Sequence, residues 1–191
     1  ISIIKENLIS PNFKDILDIG TTVDTSKSSN LIIKNLKNFK SYKSISNQKI
    51  TSNLFTKKLQ KSITQDFSLN ELETFRSDVV ISNATIEHVG SDQQQLKMLK
   101  NIVKLTKKIF IVVTPNRLHP IEFHSKIPFI HWLPKKMHRK ILSMIGMSYL
   151  SKEENMNLLK PINLVDMMKN FNNIEYEIRY IKLLMIKSNI I

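Results

Sequence analysis

Asp15-Ile-Leu-Asp-Ile-Gly20 is a short apolar run that stops at a glycine, and it decides how the rest of the chain is interpreted. Such a run favours a buried β-strand. A glycine directly after a strand lets the backbone turn tightly and approach a ligand closely. Apolar residues then recur at helical spacing at Ile32, Leu36 and Phe39, with a cap available among residues 28–30. The pattern predicts a strand, a glycine turn and a helix.

The alternation of strand and helix continues along the chain. Further strands are predicted over residues 42–46, 62–65, 78–82, 109–113, 174–181 and from 187, and further helices over residues 69–75, 92–106, 135–145 and 163–171. Strands that alternate with helices pair in parallel through right-handed crossovers. We therefore expect an α/β fold with a doubly wound, mostly parallel seven-stranded sheet, its last strand truncated. Without a repeat or a linker, one domain over residues 1–191 is expected.

Polar or small residues follow several of the predicted strands. These residues are Gly20, Asn47, Asp66, Asn83 and Thr114. Ligands of open α/β sheets bind beyond the carboxyl ends of the strands. The sequence therefore predicts a ligand site where these residues meet.

The composition excludes several classes of protein. The chain has 191 residues, 41% of them hydrophobic, in runs too short for a spanning helix. It has no cysteine, which excludes disulfides, thiolate metal sites and a cysteine nucleophile. The net charge is +13, but 25 of the 29 basic residues are Lys, whereas specific nucleic-acid recognition favours Arg. We expect a solvated basic surface and no nucleic-acid partner.

The two ends of the sequence suggest that it is a piece of a longer chain. It opens Ile-Ser-Ile-Ile without a signal-peptide pattern and stops in the apolar run Asn189-Ile-Ile191, so we expect residues beyond both ends. A cytoplasmic location, with peripheral contact at the inner membrane face as an extension, is expected. The sequence predicts no particular oligomeric state.

The segment from Pro115 to Lys160 departs from the alternation and is too long for a simple connector. We expect it to form a lid after the fifth strand, over residues 115–160, that faces the substrate. It mixes aromatic residues such as Phe129 and Trp132 with basic ones. The basic residues are Arg117, Lys126, Lys135, Lys136, Arg139 and Lys140. The mixture suits an acceptor with an apolar part and a phosphate, or an anionic membrane surface. The alternative is a structural cap with its aromatic residues in the core.

The positions of the glycines narrow the choice of cofactor. Thr21, Thr22 and Val23 follow Gly20 where a dinucleotide-binding loop would place further glycines, and the chain has three glycines in all. This argues against a nicotinamide or flavin cofactor and against a P-loop.

Five segments occur in an order that resembles the class I S-adenosylmethionine-dependent methyltransferases. They are Ile16-Leu-Asp-Ile-Gly20, Gln65-Asp66, Asp78-Val-Val-Ile-Ser-Asn83, Ile86-Glu-His-Val89 and Ile109-Phe-Ile-Val-Val-Thr-Pro-Asn116. Residues 114–124 and 128–134 are similar to the branch that acts on small molecules, lipids or sugars. The resemblance runs from about residue 13 to the end. It implies S-adenosyl-L-methionine as cofactor and methyl transfer to an oxygen or nitrogen of a small-molecule, sugar or lipid-linked acceptor.

The resemblance also implies roles for single residues. It implies that the cofactor contacts Asp18, Gly20 and Thr21 with its methionine part, Asp66 with its adenine, and Asn83 and Ala84 beside the sulfur. It implies that Glu87 and His88 border the substrate. We expect the lid to add Glu122, His124 and Trp132 to the substrate site.

Two positions depart from the family pattern. Thr21 and Thr22 stand where later glycines are usual, and Asn47 or Gln48 stands where an acid usually binds the ribose hydroxyls. A neutral amide is a weaker acceptor than a carboxylate. The alternative function is therefore a non-catalytic binding or scaffolding subunit whose cofactor pocket has decayed.

His88 is the first candidate for a general base and His119 the second, because imidazole ordinarily titrates near neutrality. For His88 the competing interpretation is a structural histidine. For Asp18 it is a turn cap, and for Asp66 a helix cap. The lid histidines 119, 124, 131 and 138 are spaced by 5, 7 and 7 residues and share no helical face, so we expect no metal site from them.

Overall fold

The computed structural model describes residues 13–24, 30–183 and 185–191. The strands are β1 (Asp15–Ile19), β2 (Ser41–Ser46), β3 (Lys57–Gln60), β4 (Ser77–Asn83), β5 (Thr106–Pro115), β6 (Tyr180–Leu183) and β7 (Ile186–Ile190). The helices are α1 (Leu31–Asn35), α2 (Leu69–Phe75), α3 (Asp92–Leu105), α4 (Lys135–Met144), α5 (Ser148–Ser151) and α6 (Pro161–Met168), with 3₁₀ turns at Ile86–His88 and Ile130–Trp132. None of the helices in the described ranges is long and apolar enough to cross a membrane.

The strands form one seven-stranded sheet in the order β3-β2-β1-β4-β5-β7-β6. β1 pairs in parallel with β2 and β4, and β2 with β3, whereas β7 runs antiparallel to both β5 and β6. The expected mostly parallel, seven-stranded α/β sheet is confirmed.

Residue contacts group the chain into two compact units. The first contains the described residues up to Asn83 together with Lys97–Val112. The second contains Ala84–Leu96 and Val113–Ile191. The single domain over residues 1–191 stays a prediction.

The first unit is built around β1 and β4, which are apolar because a parallel sheet is covered on both faces. Every residue of β4 except the terminal Asn83 is buried. Ile19 aligns with Ile45 of β2 and with Ser82 of β4. The carboxyl ends of these three strands therefore meet at one edge of the sheet.

The second unit has a core of its own in the lid. Leu142, Met156 and Leu158 are buried together, and Ile130, Met147 and Leu150 pack against them. Pro161 begins α6, where its fixed φ and missing N–H cost nothing. The predicted lid helix over residues 135–145 is observed as α4.

Three predicted strands differ from those observed. The strand predicted over residues 109–113 is the longer β5, Thr106–Pro115. The third strand is Lys57–Gln60 instead of residues 62–65, which form a turn. The strand predicted over residues 174–181 is confined to Tyr180–Leu183. Both β3 and β6 lie at sheet edges, where one side is solvated and the apolar signal is weak.

The first helix is also shorter than its apolar spacing predicts. It ends at Asn35, and Leu36 is already extended although its side chain is buried. Asn30 precedes the helix with a left-handed backbone and makes no side-chain capping bond. The other predicted capping residues, 28 and 29, lie outside the described residues.

Candidate functional site

The first cluster lies at the carboxyl ends of β1 and β2. Asp18 is buried, and its Oδ2 accepts a 2.5 Å hydrogen bond from Thr21 Oγ1. Thr21 Oγ1 accepts in turn from Ser44 Oγ at 2.8 Å, and Ser46 Oγ donates to the Thr21 carbonyl at 2.7 Å. The threonine that replaces a later glycine thus ties the loop after β1 to β2.

Gly20 begins this loop with φ at +84°, a left-handed conformation that glycine adopts without steric cost. Its N–H donates to the Ile45 carbonyl at 2.9 Å. The backbone therefore needs a glycine at the point where the sequence places one.

Burial sets the ionisation of Asp18. It raises the pKa of the Asp18 carboxyl to about 6, although the hydrogen bond from Thr21 lowers it. The turn-cap interpretation of Asp18 is confirmed in part, since its carboxylate accepts a hydrogen bond from the hydroxyl of Thr21, three residues further along the loop.

The predicted ribose and adenine residues are exposed. Asn47 directly follows β2, whereas the side-chain oxygen of Gln48 accepts from the Val23 N–H at 3.0 Å and serves the loop. Asp66 is exposed and forms an ion pair with Lys97 at 3.2 Å. Ser68 caps α2, so the helix-cap interpretation of Asp66 is wrong.

Asn101 fixes the turn before Asp66 and is not among the residues that the sequence predicts for the site. It is buried on α3, and its Nδ2 donates to the carbonyls of Ile63 at 2.6 Å and Gln65 at 2.8 Å. An asparagine among the buried positions of an amphipathic helix is the sequence signal for such a role.

Asn83 and Ala84 are both exposed where β4 ends. Ala84 has φ at +50°, which is uncommon for a residue other than glycine, and its N–H donates to the Val113 carbonyl at 2.8 Å. The strand is thus turned sharply into the Ile86–His88 segment.

The second cluster, called here the histidine–glutamate cluster, consists of Glu87, His88, Glu122 and His124 in the second unit. The Nε2 atoms of His88 and His124 lie 3.1 Å apart. His88 Nδ1 lies 2.6 Å from the Asn155 carbonyl oxygen, and His124 Nδ1 lies 2.6 Å from Glu122 Oε1. Each imidazole is therefore held at Nδ1 and presents Nε2 to the other.

Glu87 is fully buried beside these rings, at 0% exposure. Its Oε2 accepts from Thr114 Oγ1 at 2.8 Å. Its Oε1 has no hydrogen-bond partner within the described part of the chain and lies 4.0 Å from His88 Nε2. Burial raises the pKa of this carboxyl, with the nearby His88 acting in the opposite direction.

Glu122 is 3% exposed and accepts three hydrogen bonds, from the N–H and Nδ1 of His124 and from the N–H of Ser125. Burial acts to raise its pKa, but these bonds outweigh it and hold the pKa at about 2. Burial in turn opposes the charge on His124, yet Glu122 raises the pKa of that imidazole overall. The predicted substrate residue Glu122 thus positions His124.

His119, the second predicted base, lies elsewhere in the lid. It is buried, its Nδ1 lies 3.2 Å from the donating Ile121 N–H, and its ring stacks on Phe123. His131 is also buried, with its Nε2 bonded to the His119 carbonyl at 2.7 Å. Among the described residues, the lid histidine that joins a group able to hold a metal ion is His124, and its partners are Glu87 and His88.

The lid exposes its aromatic pair. Phe129 is 54% and Trp132 49% exposed, with ring centroids 5.0 Å apart, so the interpretation of these two residues as core is wrong. Arg117, expected among the basic surface groups, is instead buried and donates to the carbonyls of His131 and Leu133.

Comparison with known proteins identifies the fold. The chain is similar to magnesium protoporphyrin IX methyltransferase from Synechocystis PCC 6803 with bound S-adenosyl-l-homocysteine (SAH). The TM-score is 0.56 and the sequence identity 12%, and the match covers 99% of this chain and 78% of that one. It is similar to the N-methyltransferase NodS from Bradyrhizobium japonicum WM9, with TM-score 0.53, 9% identity and coverage of 99% and 89%. It matches the CurJ carbon methyltransferase with TM-score 0.55 and 13% identity over 98% of this chain and half, 50%, of that one.

No family model and no curated protein matches the sequence. At these identities the likeness concerns the fold alone. The class I methyltransferase fold expected from the resemblance is confirmed.

Proposed function

We propose that this chain, which has the class I methyltransferase fold, transfers a methyl group from S-adenosyl-L-methionine to an oxygen or nitrogen of a small-molecule, sugar or lipid-linked acceptor. The observation that carries the proposal is the buried carboxyl of Asp18 beside the left-handed Gly20, at the carboxyl end of β1. Ligands of such sheets bind at this edge. Similar structures with bound SAM or SAH support the choice of cofactor.

In this proposal the cofactor residues divide by position along the edge. Asp18, Gly20 and Thr21 receive the methionine part, Asn47 a ribose hydroxyl and Asp66 the adenine amino group. Asn83 and Ala84, both exposed at the end of β4, lie next to the sulfonium.

The acceptor reacts in line with the carbon–sulfur bond, so alignment supplies much of the rate. A hydroxyl acceptor also has to lose its proton. His88 is the base we propose, since its Nδ1 is fixed on the Asn155 carbonyl, which leaves Nε2, 3.1 Å from His124 Nε2, to take the proton. Glu87 and Glu122 act through the two histidines, and His124 and Trp132 contact the acceptor.

Calorimetric titration with S-adenosyl-L-methionine and with SAH tests the cofactor. We expect dissociation constants near micromolar, about −8 kcal/mol. If no heat of binding is measured at millimolar ligand, the proposed enzyme activity is rejected and the non-catalytic binding or scaffolding subunit is favoured.

A charged acceptor at the end of β2 should tighten the cofactor. Asn47→Asp is expected to lower the dissociation constant for SAH about fivefold, roughly 1 kcal/mol, because a carboxylate is a stronger acceptor for hydroxyls than an amide. Asn53→Asp is the matched control, since Asn53 is exposed in the same connection between β2 and β3 and gives the same change in charge. Equal affinity in all three proteins would place the ribose elsewhere.

The exposed face of the lid helix α4 is an argument for a partner that is both apolar and anionic. Lys136, Lys140, Met137 and Met144 are exposed and fall within about 100° of the helix surface. Lys135 and Arg139 instead form ion pairs with Asp92 at 3.0 Å and Glu153 at 2.8 Å. Basic and apolar side chains on one helical face suit the interface of an anionic membrane. We also propose a cytoplasmic location, with peripheral contact at the inner membrane face.

Vesicle co-sedimentation tests this surface. Lys136→Gln with Lys140→Gln should weaken binding to anionic vesicles roughly 30-fold, at about 1 kcal/mol per lysine, and should reduce its dependence on salt. Lys100→Gln with Lys104→Gln is the matched control, because these exposed lysines have the same spacing on α3. If the parent protein binds anionic and neutral vesicles equally weakly, a soluble acceptor beneath the lid becomes the better account.

A further inference from the structure

Three atoms that can bind a cation converge in the histidine–glutamate cluster. Glu87 Oε1, His88 Nε2 and His124 Nε2 all lie within 4.8 Å of one another. The two nitrogens are 3.1 Å apart. Glu87 Oε1 is buried without a hydrogen-bond partner among the residues that the structure describes, which is rare for a carboxylate oxygen.

The hydrogen bond at the far side of His88 fixes its tautomer. Its Nδ1 lies 2.6 Å from the carbonyl oxygen of Asn155. A carbonyl can only accept, so the hydrogen must be on Nδ1. In the neutral imidazole, Nε2 then carries a lone pair.

The same reasoning applies to His124. Its Nδ1 lies 2.6 Å from Glu122 Oε1. The Glu122 carboxylate also accepts from the backbone N–H groups of His124 and Ser125, so it is surrounded by donors and holds no proton of its own. In the neutral imidazole the hydrogen of His124 is therefore on Nδ1, and its Nε2 then carries a lone pair.

Two lone pairs that face each other at 3.1 Å repel unless a proton or a metal ion lies between them, and the unpaired Glu87 oxygen adds a third electron donor at the same place. We propose that Glu87, His88 and His124 bind a divalent transition-metal ion. Two imidazoles and one carboxylate suit Zn²⁺ and other divalent transition-metal ions, whereas Mg²⁺ and Ca²⁺ prefer oxygen donors.

The distances agree with a shared ion. Zn–N bonds are about 2.0–2.1 Å long, so two nitrogens on one tetrahedral ion lie ~3.3 Å apart. The observed separation is 3.1 Å. Glu87 Oε1 lies 4.0 Å from His88 Nε2 and within 4.8 Å of His124 Nε2, so it has to approach the two nitrogens, by up to ~1.5 Å, to complete the set.

The surroundings of the three ligands match those of metal sites. Metal-binding histidines usually donate their other N–H to a carboxylate or a backbone carbonyl, as His124 does to Glu122 and His88 to Asn155. The second oxygen of Glu87 is held by Thr114. Each ligand is thus oriented by a further group.

Three protein ligands leave one position for water or for an oxygen of another molecule. This metal site does not depend on the proposed methyl transfer. If the chain has both the metal site and the methyltransferase activity, the ion would lower the pKa of a bound acceptor hydroxyl. It would then take the place of His88 in removing the hydroxyl proton.

Calorimetric titration with Zn²⁺ alone, on chelator-treated protein without an affinity tag, tests the site. We expect one equivalent to bind. His88→Gln and His124→Gln should each weaken binding more than about 100-fold, and Glu122→Gln, which removes an orienting group, about 10- to 100-fold. His138→Gln is the matched control, a buried lid histidine outside the cluster, and should leave the affinity unchanged.

Co²⁺ provides an independent readout, since nitrogen and oxygen ligands give it a visible spectrum that the His124→Gln variant should lose. Thermal unfolding without metal identifies any variant that fails to fold. Such a variant is replaced by Glu87→Gln, which keeps the shape of the side chain. Absence of saturable Zn²⁺ binding would overturn the proposal and leave a shared proton between the two rings. Equal weakening in His138→Gln would overturn it as well.

Discussion

Glu122→Gln is expected to lower the free energy of unfolding at pH 7 by about 3 kcal/mol. Hydrogen bonds from His124 and Ser125 hold the pKa of Glu122 at about 2 against the opposing effect of burial, compared with an ordinary value of 4.5. Each unit of pKa difference corresponds to about 1.4 kcal/mol of stabilisation of the ionised form in the folded state. A glutamine keeps the shape but directs an NH₂ group at groups that are themselves donors.

The pH dependence of stability identifies this carboxylate. Because the folded pKa is depressed, its contribution is fully present above about pH 4.5 and is lost as the pH falls toward about 2. Urea unfolding at pH 7 and pH 3 measures it. Glu153→Gln, which removes an exposed carboxylate paired with Arg139, should change stability by less than ~1 kcal/mol. A similar small effect for Glu122→Gln would mean that the lid does not depend on this carboxylate.

Asp18→Asn is expected to have the opposite effect. Burial raises the pKa of Asp18 to about 6, with Thr21 opposing it, so the ionised carboxylate costs stability above that pH. The parent protein should lose about 3 kcal/mol from this group as the pH rises from about 4 to about 6, and the variant should lack that loss. An amide oxygen can still accept the Thr21 hydroxyl.

The same variant separates stability from binding. If the Asp18 carboxylate serves the cofactor, Asp18→Asn gains stability at pH 7 and binds SAH more weakly, the usual trade-off at a functional site. Asp166→Asn, on the exposed face of α6, is the control for the loss of one negative charge. A variant that loses stability and keeps its affinity for SAH would give Asp18 a structural role only.

The sequence predicts the centre of the sheet well and its edges poorly. β1 and β4 are covered on both faces and appear as continuous apolar runs, so the sequence predicts them to within one residue at each end. β3 has the residues Lys57–Gln60, which are mostly exposed and carry no such pattern. Apolar and polar residues alternate over residues 174–179, but no strand is assigned there. Only the end of the predicted segment, from Tyr180, belongs to β6 and pairs with β7.

The candidate site divides in the same way. Residues fixed by the backbone next to a strand, such as Gly20 and Ala84, can be located from the sequence once the strand is known. The pairing of His88 with His124 cannot, because it depends on how the lid folds across a sequence separation of 36 residues. The histidine spacing correctly excludes a shared helical face, but a loop brings one of the four to Glu87 instead.

The two carbonyls bonded by Asn101 also have a consequence for the order of folding. The bonds join residues 38 and 36 positions apart, so these two bonds on the turn before Asp66 cannot form until α3 has been synthesised and has docked. Contacts of such long sequence separation form late, since the intervening chain must first lose its freedom. On a growing chain, β1 and β2 therefore become available for pairing while the turn before Asp66 still lacks its two bonds from Asn101.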